Sequence, residues 1–175
     1  MNLEGETIYL RRLTIDDAPI IHQWHNDSEL YEYLVGQCHS PHMDQVKVWL
    51  TDRIKGSERE QTFGICLNDT NTLIGNVYLR NIDSFSKNAE FHIMLGNSKE
   101  RSKGIGTEVM ELIKRMSVDF LGLKRLYLYV LRSNERARKL YQKVGFLDEG
   151  VLKSHVRKKD RWVDVCVMGL SLEEK

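Results

Sequence analysis

The stretch KNAEFHIMLGNSKERSKGIGTEVMELIKRMSVDFLG, residues 87–122, decides the fold. Its first nine residues alternate: Ala89, Phe91, Ile93 and Leu95 fall on one side of an extended chain, Glu90, His92 and Met94 on the other. From Thr107 the period changes. Val109, Leu112, Ile113, Met116 and Phe120 recur at helical spacing, and Gly122 is placed to stop the helix. Between strand and helix lies Arg101-Ser102-Lys103-Gly104-Ile105-Gly106-Thr107. Two glycines let the backbone turn tightly enough for several N–H groups to point into one concavity. The helix beginning there adds the positive end of its dipole, and Arg101 and Lys103 add full charges. Together these describe a pyrophosphate cradle. A Walker loop is excluded, because G-x-x-x-x-G-K-[ST] occurs nowhere; a dinucleotide fingerprint is excluded because residue 109 is Val where a third glycine would stand. On the motif alone, a strand-to-helix turn that binds nothing stays open.

Outward from this unit, short apolar strands alternate with amphipathic helices. GETIYLRRL (5–13) reads as a strand and TIDDAPIIHQWHN (14–26) as a helix with Pro19 in its first turn. SELYEYL (28–34) is a short helix, and MDQVKVWLTDRI (43–54) a longer one. Residues 61–83 are two strands around Asn-Asp-Thr-Asn. RLYLYVL (125–131) is a strand, and residues 134–145 a helix ended by Gly145. FLDEGVLKSHV (146–156) and RWVDVCVMGLSL (161–172) are a closing antiparallel pair. The expected fold is one α/β (α+β) domain over 1–175, with its core in 7–170: a mixed, largely antiparallel sheet flanked by helices.

Composition bounds the rest. A chain of 175 residues with 41% hydrophobic and 29% charged residues buries one core without staples. No apolar run approaches a membrane span, and the acidic N-terminus lacks the form of a signal peptide. Cys38, Cys66 and Cys166 are odd in number and widely spaced, which fits a reducing compartment and neither a disulfide framework nor a zinc site. The expectation is a cytoplasmic protein without a metal; His39 and His42 have ligand-like spacing but no third partner nearby. Charge is divided: residues 1–98 hold 8 Lys/Arg against 14 Asp/Glu, and residues 99–161 hold 17 against 8. That suits a polyanion on one side and a cation on the other. Asp27, Glu29 and Glu32 either attract a cationic acceptor or form a solvated helix face, and the basic run 153–161 would meet the adenosine 3′-phosphate of a cofactor or an acidic partner. Trp24, Tyr31, Tyr33 and Trp49 are either the lining of an acceptor pocket or, as most aromatics at helical spacing are, core. Without an aromatic-interleaved basic platform or a known binding motif, nucleic acid is not an expected partner.

A second constellation, Asn134-x-x-Ala137-x-x-x-Tyr141-x-x-x-Gly145-Phe146, follows the loop at a characteristic distance. With RSKGIGT, YLRRLTIDDAPIIHQWHND, LIGNVYL, AEFHIML and EGVL, it carries a resemblance to the GNAT superfamily of N-acetyltransferases. Within that superfamily the chain resembles the branch of ribosomal-protein-alanine and spermidine acetyltransferases. The resemblance implies strands that splay at an acetyl-CoA site, and a pyrophosphate held by the amides of residues 101–107. It implies that Ile93, Met94 and Leu95 pair with the pantetheine arm, that Asn134 contacts that arm, and that Tyr141 protonates the departing thiolate. It also implies coenzyme A as cosubstrate.

The chemistry agrees. Acetyl transfer needs a deprotonated amine, a donor to the oxyanion, a proton for sulfur and exclusion of water. Glu90 is the candidate base, directly or through water, with a surface or hairpin-partner carboxylate as the plain alternative. His92 is the runner-up, since an imidazole suits proton transfer near neutrality. A strand N–H near Met94 would hold the carbonyl oxygen. Neither motif holds a cysteine, so direct transfer in a ternary complex is expected. The acceptor stays open among a polyamine, an amino sugar or aminoglycoside, and a protein N-terminus. A non-catalytic acyl-CoA-binding regulatory module is the alternative from another class. Pairing of the terminal strands between two subunits would make a homodimer.

Overall fold

The computed structural model describes residues 3–96, 99 and 103–173. A single eight-stranded sheet runs through it in the order β1-β2-β3-β4-β5-β6-β8-β7. The strands are β1 (Leu3–Glu4), β2 (Ile8–Arg11), β3 (Gln61–Leu67), β4 (Leu73–Asp83), β5 (Asn88–Leu95), β6 (Arg125–Leu131), β7 (Leu147–Lys158) and β8 (Arg161–Ser171). Every neighbouring pair is antiparallel except β5 and β6. The expected mixed, largely antiparallel sheet is therefore the observed one.

Helices cover both faces. On one face lie α4 (Ile105–Asp119) and α5 (Glu135–Lys143). Ile105, Val109, Leu112, Ile113 and Met116 of α4 are buried there against Ala89, Phe91, Leu126, Leu128 and Val130 of β5 and β6. On the other face lie α1 (Ala18–His25), α2 (Ser28–Tyr31) and α3 (Met43–Lys55). Ile21, Trp24, Leu30, Val46 and Leu50 pack there with Met94 of β5. The alternation read from residues 89–95 thus divides β5 between two cores.

Boundaries differ from the sequence reading where local hydrogen bonding decides them. The strand read over 5–13 begins only at Ile8, because Gly5–Thr7 is the turn of a hairpin that pairs β1 antiparallel with β2; there Glu108 of α4 accepts from Thr7 N at 2.8 Å and from the Thr7 hydroxyl. The first helix opens with a 3-10 turn, Ile15–Asp17. There Asp17 accepts from Thr14 N at 2.8 Å and takes a two-pronged bond from Arg11 at 2.8 and 2.7 Å. The short helix after it ends at Tyr31 and not at residue 34, because the following segment turns to meet β7. Among the described residues no helix is long and apolar enough to cross a membrane.

Candidate active site

The one parallel pair is incomplete, and this makes the site. β5 and β6 are paired only at Asn88–Arg125, Ala89–Leu126 and Glu90–Tyr127. Beyond Glu90 each strand continues, held by its outer neighbour: β5 by β4 to Gly75–Leu95, β6 by β8 to Leu131–Val165. Two strands with intact outer edges and no inner ladder form an open fork. Gly96 donates its N–H to Ile74 O at 2.9 Å. Strand alternation then turns the main-chain groups of Met94 and His92 toward β4, and those of Ile93 toward the fork. The main-chain N–H groups near Met94 that face the fork are therefore those of its neighbours Ile93 and Leu95, not its own. The Met94 side chain is buried among the α1–α3 residues, and Leu95 packs against the other core.

At the base of the fork, Glu90 and His92 lie on the α1–α3 face. Glu90 is 9% exposed. Its Oε1 lies 2.5 Å from His92 Nε2, and its Oε2 accepts from Asn81 Nδ2 at 2.8 Å. The His92 hydrogen bond is the largest influence on Glu90. With Asn81 and Arg80 it outweighs burial and holds the carboxyl below the usual range. The His92 ring stacks on Tyr78, centroids 4.9 Å apart at 16°. Arg80 caps the Tyr78 ring at 5.4 Å. Tyr127 stands opposite Glu90 on β6, with Tyr129 edge-on to it at 6.1 Å. Tyr31 of α2 is close enough to Tyr78 to feel its charge, and burial first, then Tyr78 and Cys38, push its hydroxyl up to about 12.

Tyr141 lies on the opposite face. It is 8% exposed, edge-on to Phe91 at 6.3 Å and tilted against Phe146 at 5.8 Å. Burial alone pushes its hydroxyl up to about 12, so the phenol stays protonated across the physiological range. Candidate acid and candidate base thus approach one fork from opposite faces of the sheet.

The mouth of the fork leads to the start of α4. Gly104 caps that helix at φ 81°, and a Cβ built on it meets nothing within 4 Å. Its backbone is open to approach, as a phosphate cradle requires. Gly106 serves packing instead. A Cβ there would lie 2.6 Å from Leu140 Cδ2, so this glycine lets α4 pack against α5. The Ile105 side chain is buried, leaving only its amide for a ligand, while Lys103 is exposed and Thr107 half-buried. Arg101 and Ser102 lie outside the described residues. Asn134 caps α5, its Oδ1 accepting from Ala137 N at 3.1 Å, and its Nδ2 donates to Tyr33 O at 3.0 Å. Its amide ties α5 to the segment after α2.

The basic run 153–161 finds partners within its own chain. It forms the tip of the β7–β8 hairpin and grips the segment after α2. Lys158 Nζ donates to Tyr31 O at 2.7 Å and to Gly36 O at 2.5 Å, Lys159 pairs with Glu32 at 3.2 Å, and Gln37 donates to Arg157 O at 2.7 Å. The run therefore borders the α1–α3 face, where an acceptor would enter. Of the acidic candidates, Glu32 is engaged by Lys159 and Asp27 caps α2 by accepting from Leu30 N at 3.0 Å. Trp24 is core. Sequence reasoning missed Asn81 and Tyr78, and named Lys158 only as part of a basic run. Asn81 carried a faint signal, an asparagine inside a strand-like run.

The family described as Acetyltransferase (GNAT) domain matches residues 7–147. A spermidine N(1)-acetyltransferase of Escherichia coli (strain K12) is 27% identical over 148 residues, 85% of this chain and 77% of that protein. An uncharacterized N-acetyltransferase p20 of Bacillus licheniformis is 25% identical over 173 residues, 98% of this chain and 97% of that protein. The crystal structure of spermidine N-acetyltransferase from Vibrio cholerae in complex with CoA and spermine superposes with a TM-score of 0.88 at 26% identity, covering 96% of this chain and 97% of that one.

Proposed function

This chain belongs to the GNAT acetyltransferases, and from that premise we propose that it moves the acetyl group of acetyl-CoA directly to a primary amine of a polyamine at the β5–β6 fork. Acetyl-CoA-dependent N-acetyl transfer follows from the family. The acceptor and the residue roles are our reading, and one observation carries them: strands that part just beyond Glu90 and Tyr127, with Glu90 on one face and Tyr141 on the other. The parted edge of β5 receives the pantetheine arm. The amides at Gly104 to Thr107, with Lys103, Arg101 and Ser102 before them, receive the pyrophosphate. Glu90 takes the proton of the entering ammonium, directly or through water. The Ile93 N–H stabilises the carbonyl oxygen as charge develops on it. Tyr141 supplies the proton to sulfur. The spermidine acetyltransferase relatives favour a polyamine. So does a face that offers a carboxylate beside Tyr127 and Tyr129, since aromatic rings and carboxylates both attract ammonium groups.

The test is a panel of spermidine, spermine, an aminoglycoside and an alanine-led peptide, each mixed with acetyl-CoA. Thiol release and product mass are followed together. The polyamines should give the highest kcat/KM. Acetylation of the peptide or the aminoglycoside alone would move the acceptor assignment, and acetyl-CoA binding without acetylation of any amine would favour a regulatory module.

A further inference from the structure

One residue beside the proposed base is held in an unusual conformation. β4 and β5 are in register at Arg80–Glu90, and β4 then carries one extra residue before the next pair, Asp83–Asn88. The bulge contains Asn81, whose φ is 50°, in the left-handed region that side chains other than glycine rarely occupy. A bulge re-aims a side chain. Here it aims the Asn81 amide at Glu90 Oε2, 2.8 Å away. Glu90 Oε1 lies against His92 Nε2 at 2.5 Å, and the His92 ring is pinned by the stack on Tyr78. Each carboxylate oxygen thus has its own partner, from a different strand, and the imidazole plane is set by a third contact.

We propose that Asn81 is the positioning residue of the base: from its bulge it fixes the Glu90 carboxylate so that Glu90 and His92 accept the amine proton as one unit. This rests on the reading of the site given above. The ammonium N–H bond breaks, the pair passes from net negative to neutral, and the nitrogen lone pair is freed to attack the acetyl carbon. The proton returns to solvent after product leaves. The charged and titratable groups facing the pair are Arg80 and Tyr78 on β4 and Tyr127 on β6. Arg53 and Glu60, which pair with one another, lie behind Tyr78.

The sign follows from the geometry. Removing a hydrogen bond to a carboxylate raises the proton affinity of the pair it belongs to. Asn81→Gly removes the amide and keeps a residue at ease with positive φ. Asn81→Asp keeps the shape and sets a second negative charge beside Oε2. Two readouts are needed. One is the pH profile of kcat/KM. The other is the pH titration of the His92 ring nitrogens by NMR in the protein without substrate, assigned with His92→Gln. Both midpoints should move upward by about one pH unit in Asn81→Gly and by at least as much in Asn81→Asp, with acetyl-CoA affinity unchanged. A ring titration unmoved in both variants overturns the positioning role. A ring titration that moves while the acid limb of kcat/KM stays overturns the pair as base. A uniform fall in kcat with both midpoints fixed marks Asn81 as merely structural and overturns the proposal. If no amine is acetylated by the unaltered protein, the proposed function fails, and the ring titration still decides the role of Asn81.

Discussion

Burial pushes the Tyr141 hydroxyl up to about 12, and this has a kinetic consequence. A phenol that stays protonated gives no basic limb near neutral pH, so loss of the proton donor appears in kcat at every pH. Tyr141→Phe should lower kcat by roughly 100-fold, the lower range for general acid catalysis. Acetyl-CoA affinity should hold, because Phe fills the same place beside Phe91 and Phe146. An unchanged kcat would remove Tyr141 from the acid role. Asp17 shows the same physics applied to stability. Burial works against its charge, but the Arg11 fork and the Thr14 N–H outweigh it and hold the carboxyl low. A carboxylate lowered in the folded state stabilises above its unfolded pKa, and that stability is lost as pH falls through the folded value. Asp17→Asn should cost about 1–3 kcal/mol near neutrality. Its denaturation midpoint should also depend less on pH below about 4, as urea unfolding at several pH values would show.

At the scale of elements, the fork depends on β4 and β5 lying close. A Cβ on Gly75 would collide with Met94 O and come within 3.1 Å of Leu95 Cα, both main-chain atoms. Gly75→Ala must push β5 sideways just where the arm of coenzyme A would lie. It should destabilise by about 1–3 kcal/mol and weaken acetyl-CoA binding, read by denaturant unfolding and calorimetry. Gly104→Ala meets no atom and should cost only the left-handed penalty of about 1–2 kcal/mol. Local pattern made most of this legible. The alternation in β5, the helical period after Thr107 and the helix stopped by Gly145 were all readable, because each is a property of a few neighbouring residues. The fork was expected only through family resemblance, since parallel pairing that stops after three residues leaves no mark on either strand alone. Neither Asn81 nor the part that Lys158 plays was legible, for the same reason. Their partners, Glu90 and the carbonyls of Tyr31 and Gly36, are brought to them by the sheet and the hairpin.

Across the whole molecule, the hairpin β7–β8 reaches over the sheet edge to hold the segment after α2. Lys158 does this from a buried position, 5% exposed, where burial pushes its ammonium down and the two carbonyls satisfy it. Asn134 holds the same segment from α5. The segment after α2, on the face proposed for the acceptor, is therefore tied to the β7–β8 hairpin and to α5 at once. Lys158→Met should leave acetyl-CoA affinity intact, cost about 1–3 kcal/mol for two carbonyls left without a donor, and raise KM for the amine more than it changes kcat. Equal effects on both ligands would show that the hairpin does not act on the acceptor side alone. The claim beneath all of this is that the parting of β5 and β6, with the start of α4 at its mouth, is a coenzyme A site. Calorimetric titration with acetyl-CoA, run beside its 3′-dephospho form and beside Gly104→Val, tests it most directly. One site of micromolar affinity is expected, weakened without the phosphate and lost in Gly104→Val while the variant remains folded. No heat of binding at millimolar acetyl-CoA, or the same affinity in Gly104→Val, would contradict it.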